Sequence, residues 1–315
     1  AHKEIANLTK AGLETRTFIL ETGVSLPRVW HQTCHLLKLI REYRPDTVHA
    51  HYGTLTAFIC ALVSSLAGVP LVITYRGSDL NPSPHDGVFR NIAQKLLSQL
   101  AALLARHIIC VSRQLRDRLW WCRGKVTVIP SGVDLELFQP IPQVEARKRL
   151  GWRDDERVVL FNAAGHTPAV KRLDLAEASV AVVRELIGEV RFVVLRGDIN
   201  HEEMPLYLSG ADCLLVTSDY EGSPDIIKEA LACGLPIVTV DVGDVLERLE
   251  GVHPSRIVER DPRALGKAVA EIILLGQRSN GRERIYEISS TAVRDKIIQV
   301  YHRVLGFERI SPRNS

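Results

Sequence analysis

Short runs of β-branched and aliphatic residues recur along this chain, and each is followed by a longer amphipathic stretch. In the first half the runs fall at Thr17–Leu20, Thr47–Ala50, Leu71–Thr74, His107–Val111 and Val126–Ile129. Apolar residues spaced three and four apart predict helices near Trp30–Tyr43, Leu55–Ala67, Phe89–Leu104 and Ser112–Trp121. The second half repeats the scheme. Strands are expected at Arg157–Phe161, Arg191–Leu195, Asp212–Thr217, Pro236–Val240 and Arg256–Val258. Helices are expected near Leu173–Leu186, Glu203–Leu208, Pro224–Cys233, Pro262–Leu275 and Thr291–Leu305.

Strands alternating with helices at this spacing imply parallel sheets covered on both faces, an α/β fold. Two such sets imply two Rossmann-like domains, which the length of 315 residues accommodates. Pro130, Pro140 and Pro142 punctuate a turn-rich stretch and place the boundary there. In open parallel sheets ligands bind beyond the carboxyl ends of the strands. The loops that follow each strand, and a cleft between the two sheets, are therefore the places to look for chemistry.

Composition narrows the class. A net charge of +3 is too small to argue for nucleic acid. None of the six cysteines forms a C-x-x-C pair and most sit in apolar runs, so buried reduced thiols are expected rather than disulfides or a zinc site. No apolar run reaches membrane-spanning length, and no signal peptide is expected. The chain opens on Ala1-His2-Lys3-Glu4-Ile5-Ala6, which reads as the middle of a helix and suggests a fragment.

The most informative segment runs from Glu221 to Pro236. The strand ending at Thr217 feeds a loop holding Glu221 and Gly222. Ser223 suits a helix N-cap, Pro224 the first helical position and Gly234 the C′ stop. Glu221 then lies at the carboxyl end of a strand, and Glu229 about a turn and a half inside the helix. The first-turn N–H groups of such a helix favour an anion. A carboxylate accepts hydrogen bonds from sugar or ribose hydroxyls. On spacing alone these acids read better as a surface loop residue and a solvated helix residue, because acidic residues are common on helix surfaces.

The combined string is more specific. Glu-Gly-x-Pro, a second Glu eight residues after the first, and then Ala-x-Ala-Cys-Gly-x-Pro-Ile-Val resembles the E-x7-E motif of glycosyltransferase family 4. The resemblance covers nearly the whole chain. Asp46–His51, the Val72–Asp79 stretch with Arg76-Gly77-Ser78-Asp79, Val111-Ser112, the Val128–Asp134 stretch with Phe138, and the closing Tyr301–Leu305 all resemble family segments. It implies the GT-B architecture, two Rossmann-like domains with parallel sheets facing a central cleft. Residues 1–135 would form the acceptor-side domain, 136–290 the nucleotide-sugar-binding domain, and 291–315 a helix crossing back to the first domain. Family members begin with a strand and a Gly-rich loop before the first helix. This sequence starts inside that helix, so an incomplete product with a compromised first domain is expected.

The resemblance also implies an activity: retaining transfer of a sugar from a UDP- or GDP-sugar to a glycan or lipid-linked acceptor in polysaccharide or cell-envelope biosynthesis. The nucleotide sugar is a substrate, and no cofactor or metal is expected. The chain has no Asp-x-Asp metal pair. Glu221 would contact the donor sugar and Glu229 the ribose. Lys171, with Gly222, Ser223 and Pro224 at the helix start, would hold the diphosphate, whose charge grows as it leaves. The segment Phe161–Arg172 matches the family's Gly-Arg-x4-Lys region, with Gly165 at the Gly position. His166 stands where the family has Arg, and Arg172 would compensate. Arg76 stands where the family has a His near the transferred sugar. Arginine is no general base, though it can bind phosphate or a hydroxyl. Asp244, in the Gly243 loop, is expected to face sugar or solvent. His49 and His51 alternate along a strand and are expected on opposite faces, which speaks against a metal site.

Between Val88 and Lys125 eight basic residues stand against one acid, Asp117, with Trp120 and Trp121 among them. Such a surface suits an anionic membrane, as a peripheral enzyme on the inner face of the cell membrane would need. Solvated helix faces with buried tryptophans explain the same run. Two other functions share the architecture: a sugar-nucleotide epimerase, against which the E-x7-E string argues, and a non-catalytic nucleotide-sugar-binding subunit.

Overall fold

The β-branched runs form strands that pair only in parallel. In the computed structural model, which describes residues 2–21, 25–81, 87–164 and 168–307, two separate sheets result. The first holds β1 (Val48–His51), β2 (Leu71–Tyr75), β3 (His107–Cys110) and β4 (Val126–Val128), side by side in chain order. Every residue of β2 and β3 is buried, as strands covered on both faces require. Around them lie α1 (His2–Lys10), α2 (Leu26–Tyr43), α3 (Thr54–Ala67), α4 (Val88–Leu104) and α5 (Arg113–Asp117). Leu36 and Ile40 of α2, Ala57 and Val63 of α3, and Ile73, Ile108 and Leu115 share one core.

Two expectations fail in this sheet. Thr17–Leu20 is not a strand. Phe18 and Leu20 pack against the core while Ile19 points to solvent, so the segment is held by side chains alone. Alternation marks an extended segment, but a strand also needs a neighbour's N–H and C=O groups. The helix expected over Ser112–Trp121 stops at Asp117. Ser112 caps it, accepting the Leu115 N–H at 3.2 Å. Beyond it Gln99 takes over: its side chain accepts the Trp120 N–H at 3.0 Å, and its carbonyl accepts the Trp121 indole N–H at 2.9 Å.

The second sheet has the order β6-β5-β7-β8-β9, built from β5 (Val158–Asn162), β6 (Arg191–Leu195), β7 (Cys213–Val216), β8 (Ile237–Thr239) and β9 (Arg256–Ile257). Its helices are α6 (Gln143–Leu150), α7 (Leu173–Ile187), α8 (Met204–Gly210), α9 (Asp225–Ala232), α10 (Val245–Arg248), α11 (Pro262–Leu275) and α12 (Gly281–Arg284); α13 (Ser290–Leu305) closes the described chain. α6 has no counterpart among the expected helices. Its buried Arg147 grips the Asp212 carboxylate with Nη2 at 2.9 Å, and Asp212 in turn accepts the Val158 N–H at 2.7 Å. The contacts divide the chain into two compact units, 1–130 with 293–315, and 131–292.

The strand order decides where a ligand can sit in the second unit. From β5 the chain crosses to β6 on one side, then returns to lay β7 on the other. The order reverses between β5 and β7, and the loops leaving their carboxyl ends diverge there into a crevice.

Candidate functional site

Both loops at that reversal carry charge, and they meet. A 3-10 turn, Pro168–Lys171, ends the loop after β5. Lys171 Nζ donates to Glu221 Oε1, in the loop after β7, at 2.6 Å, and Ser218 Oγ donates to the same oxygen at 2.8 Å. Both charged side chains are mostly covered, at 19% and 16% exposure. The backbone beneath them is stitched across the crevice. Thr217 Oγ1 donates to the Lys171 and Arg172 carbonyls at 2.8 and 2.9 Å, and the Asp219 N–H donates to the Val170 carbonyl at 2.9 Å. Arg260 reaches in from the chain after β9 and donates to the Thr217 and Ser218 carbonyls at 2.8 and 2.9 Å.

Arg172 stands beside this pair but is differently engaged. Its backbone takes a left-handed φ of 57°, and its guanidinium pairs with Asp174 and Asp219. Those two carboxylates raise its already high pKa further, so it stays a cation. Gly165 and His166 lie outside the described residues.

α9 begins one residue later than expected. Pro224 is its N-cap, with φ −66° and ψ 121°, and Asp225 its first residue. Ser223 caps nothing. Its hydroxyl donates to Asp244 Oδ2 at 2.8 Å, and Lys228 Nζ donates to both the Ser223 carbonyl and hydroxyl at 3.0 Å. The C-terminal expectation holds: Gly234 follows the cap with φ 67°, and its N–H and that of Leu235 close the last turn on Leu231 and Ala230. Glu229 is half-buried on α9, in the same helix as Lys228.

Asp244 corrects another expectation. It faces neither sugar nor solvent but is 2% exposed, held by Ser223 and by Arg248 at 3.3 Å. Burial raises its pKa, and Lys228 followed by Arg248 opposes that rise. The loop carrying Asp244 lies on the Glu221 loop so closely that a Cβ on Gly243 would stand 2.8 Å from the Gly222 carbonyl oxygen. The Glu221–Pro224 loop is thus fixed from below by Lys228 and Asp244. Lys228, Ser218 and Arg260 were passed over in the sequence, and Asp244 was expected elsewhere. One signal was available for Lys228: it is the single cation of α9, directly after Ile226 and Ile227.

In the first unit, Arg76 sits at the carboxyl end of β2. Its guanidinium pairs with Glu4 of α1 and lies 3.2 Å from His51 Nδ1. His49 and His51 do not face opposite ways. Residues two apart on a strand share a face, and the rings stack with centroids 4.3 Å apart. His49 Nε2 lies 2.7 Å from Thr74 Oγ1 and its Nδ1 2.6 Å from the Tyr301 hydroxyl of α13. Ligand-type atoms of Glu4, His49 and His51 fall within 4.8 Å of one another. Both His49 nitrogens are occupied, however, and the Arg76 charge stands among the three. As arranged, these residues form a hydrogen-bonded ion-pair network.

This network titrates with opposing signs. Burial lowers His49 from 6.5 to about 4, and burial followed by the neighbouring His49 and Arg76 lowers His51. Burial raises Asp79 from 3.8 to about 6, although it accepts the Arg76 N–H at 2.6 Å. The depressed histidines contribute stability that is present above pH 6.5 and lost as pH falls toward 4. The raised Asp79 contributes stability that is present below 3.8 and lost as pH rises through about 6. Stability is therefore expected to fall from pH 6.5 to 4.5, with Asp79 offsetting part of the loss. Asp79→Asn should steepen the fall by about 1.4 kcal/mol per pH unit. Urea unfolding of both proteins at pH 6.5, 5.5 and 4.5 measures this, and parallel slopes would refute the raised Asp79.

Comparison with known proteins bears on the whole of this arrangement. The family model for Glycosyltransferase Family 4 matches residues 6–137, and that for Glycosyl transferases group 1 matches residues 137–274. TuaC of Bacillus subtilis, described as a candidate teichuronic acid biosynthesis glycosyltransferase, is 28% identical over 246 residues, covering 73% of this chain and 61% of its own. The UDP-Gal:alpha-D-GlcNAc-diphosphoundecaprenol alpha-1,3-galactosyltransferase of Escherichia coli is 27% identical over 262 residues, covering 72% of this chain and 66% of its own. The chain thus spans less than two thirds of the length of both. Among solved structures, HepE of Anabaena in complex with UDP matches with a TM-score of 0.72 and 18% identity, covering 95% of this chain and 89% of that one. Sucrose-phosphate synthase of Thermosynechococcus elongatus matches with a TM-score of 0.71 and 20% identity, covering 90% and 81%. These two likenesses speak to fold alone, and the fold is GT-B. With both halves of the chain matched in turn, the protein belongs to the family 4, group 1 glycosyltransferases.

Proposed function

We propose that the chain works as a retaining glycosyltransferase, moving a sugar from a UDP- or GDP-sugar to a glycan or lipid-linked acceptor in cell-envelope polysaccharide biosynthesis. The observation that carries this reading is the Lys171–Glu221 pair, placed by two loops at the strand-order reversal and beside the start of α9. An incoming diphosphate would draw Lys171 away from Glu221 and lie across the first turn of α9. Glu221, released from the lysine, would accept hydrogen bonds from the donor sugar's hydroxyls, and Glu229 from the ribose. As the glycosidic bond breaks, negative charge gathers on the departing nucleoside diphosphate. The lysine and the helix N–H groups stabilise that charge more than they stabilise the bound donor. This route asks for no metal ion.

Relatives support the substrate classes. The E. coli relative is named for a UDP-sugar donor and a diphosphoundecaprenol-borne acceptor, and HepE was solved with UDP. No helix among the described residues is long and apolar enough to cross a membrane. A lipid-borne acceptor would then be met at the cytoplasmic membrane surface by a peripheral enzyme.

A thermal-shift series with UDP, GDP and their sugars tests the donor site. A ligand at a hundred times its dissociation constant should add about 2.7 kcal/mol of stability, and EDTA should leave the shift unchanged. No shift with any nucleoside diphosphate would sink the proposal; a shift abolished by EDTA would sink its metal-free form.

A further inference from the structure

An ordinary surface helix buries its large apolar residues and shows its polar ones. α4 does the reverse. The residues it buries are Ser98, Gln99, Ala101 and Ala102. Val88, Phe89, Ile92, Leu96, Leu100 and Leu103 are exposed, Phe89 at 90%. At 100° per residue these six fall within an arc of about 120° that holds no charge, and its one polar residue, Gln99, is buried against the Trp120–Trp121 corner. The row runs about 22 Å along the helix at 1.5 Å per residue. A continuous apolar face of that length signals an interaction surface rather than scattered exposure.

The inversion has a local cause. Small Ala101 and Ala102 let α4 approach its neighbours closely, and Ser98 and Gln99 spend their polar groups on the backbone. Ser98 Oγ donates to the Asp79 carbonyl at 2.9 Å, and Gln99 holds the Trp120–Trp121 corner. The large side chains are left no inward position.

What surrounds the face selects its partner. On the helical wheel Lys95 borders the face directly, and the exposed Arg90 lies about 80° beyond its other edge. Beyond the helix end, Arg106, Arg113 and Arg123 are also exposed. Lys95 Nζ lies 5.3 Å from the centre of the Trp120 ring, which is itself half-exposed. Residues 88–125 hold eight basic residues and one acid. A second copy of the chain would set these like charges against one another. A surface that is apolar within and anionic at its boundary would satisfy both parts.

We infer that the exposed face of α4, with the Trp120–Trp121 corner, is the surface by which this protein docks on an anionic lipid bilayer. The apolar side chains enter the headgroup–acyl boundary, and the flanking cations meet lipid phosphates. The inference deepens the reading of a membrane-borne acceptor above, and its test is independent of donor chemistry.

Flotation of the purified chain with phosphatidylcholine vesicles, with and without one-third phosphatidylglycerol, reads the docking directly. Recovery should require the anionic lipid and fall at high salt. L96E/L100E should weaken binding by about tenfold or more, and R90E/K95E should weaken it while leaving the apolar row intact. L186E/L274E, which alters exposed leucines of the other unit, should change nothing. Should L96E/L100E misfold on melting, R90E/K95E carries the test, since it changes only charges outside the apolar row. Equal recovery on neutral and anionic vesicles overturns the inference. So does no recovery at all, or a dimer that L96E/L100E dissolves in a protein that ignores vesicles. The nucleotide-induced thermal shift should survive in L96E/L100E, so loss of docking and failure of the donor site are told apart.

Discussion

Replacing Lys171 with alanine is expected to lower glycosyl transfer by about 10²–10³-fold, the usual cost of removing one group that stabilises charge in a transition state. The lysine is largely covered, it faces a carboxylate at 2.6 Å, and it stands where the loops after β5 and β7 converge. Its charge matters most when the diphosphate leaves, so the loss should fall on kcat more than on donor affinity. Glu221→Gln removes the other half of the pair. The two changes should not be additive, because each leaves the remaining partner without its counter-charge. Label passed from a nucleotide sugar to a lipid-extracted acceptor measures both, with nucleotide-induced thermal shifts reporting affinity. A Lys171→Ala protein that transfers at the wild-type rate would remove the lysine from the mechanism.

Replacing Lys228 with alanine is expected to destabilise the second unit by about 2–4 kcal/mol, from the cavity it leaves and from the Ser223 carbonyl left without its donor. The side chain is 1% exposed, and its ammonium joins the Ser223 carbonyl and hydroxyl to the buried Asp244. Its other contact, Asp225, is 69% exposed and contributes little. Lys228→Met separates the causes. Methionine restores most of the volume but none of the charge. If packing alone mattered, Lys228→Met would unfold in urea as the wild type does. Both variants should also weaken nucleotide binding, because the Glu221–Pro224 loop rests on this lysine.

Much of the fold was legible along the chain. The runs of Val, Leu and Phe at Arg157–Phe161 and Arg191–Leu195 became β5 and β6 with little change, and in β5, which is buried over Val158–Phe161, the near-continuous apolar run is what a strand covered on both faces needs. The end of α9 was legible too, since Gly234 adopts a left-handed φ at small steric cost. Where a segment depended on distant partners, local reading failed. Thr17–Leu20 has a strand's pattern and no ladder. The helix after Ser112 ends where Gln99, on another element, takes over its backbone groups. His49 and His51 share a face by the strand's own period of two, a rule that the sequence reading misapplied.

By itself, the sequence determined the kind of protein: alternating strands and helices, two units parted near Pro130, and the Glu221–Pro236 string that ties the chain to its family. These features rest on local periodicity, on backbone preferences of proline and glycine, and on residues close together in the chain. Only the tertiary structure decided that Lys171 meets Glu221 across 50 residues, that Asp244 is buried rather than offered to a sugar, and that α4 turns its apolar face outward. Each of those outcomes depends on which strand lies beside which and on what covers each helix. Contacts of that kind are set by burial and pairing between distant elements, and no local pattern encodes them.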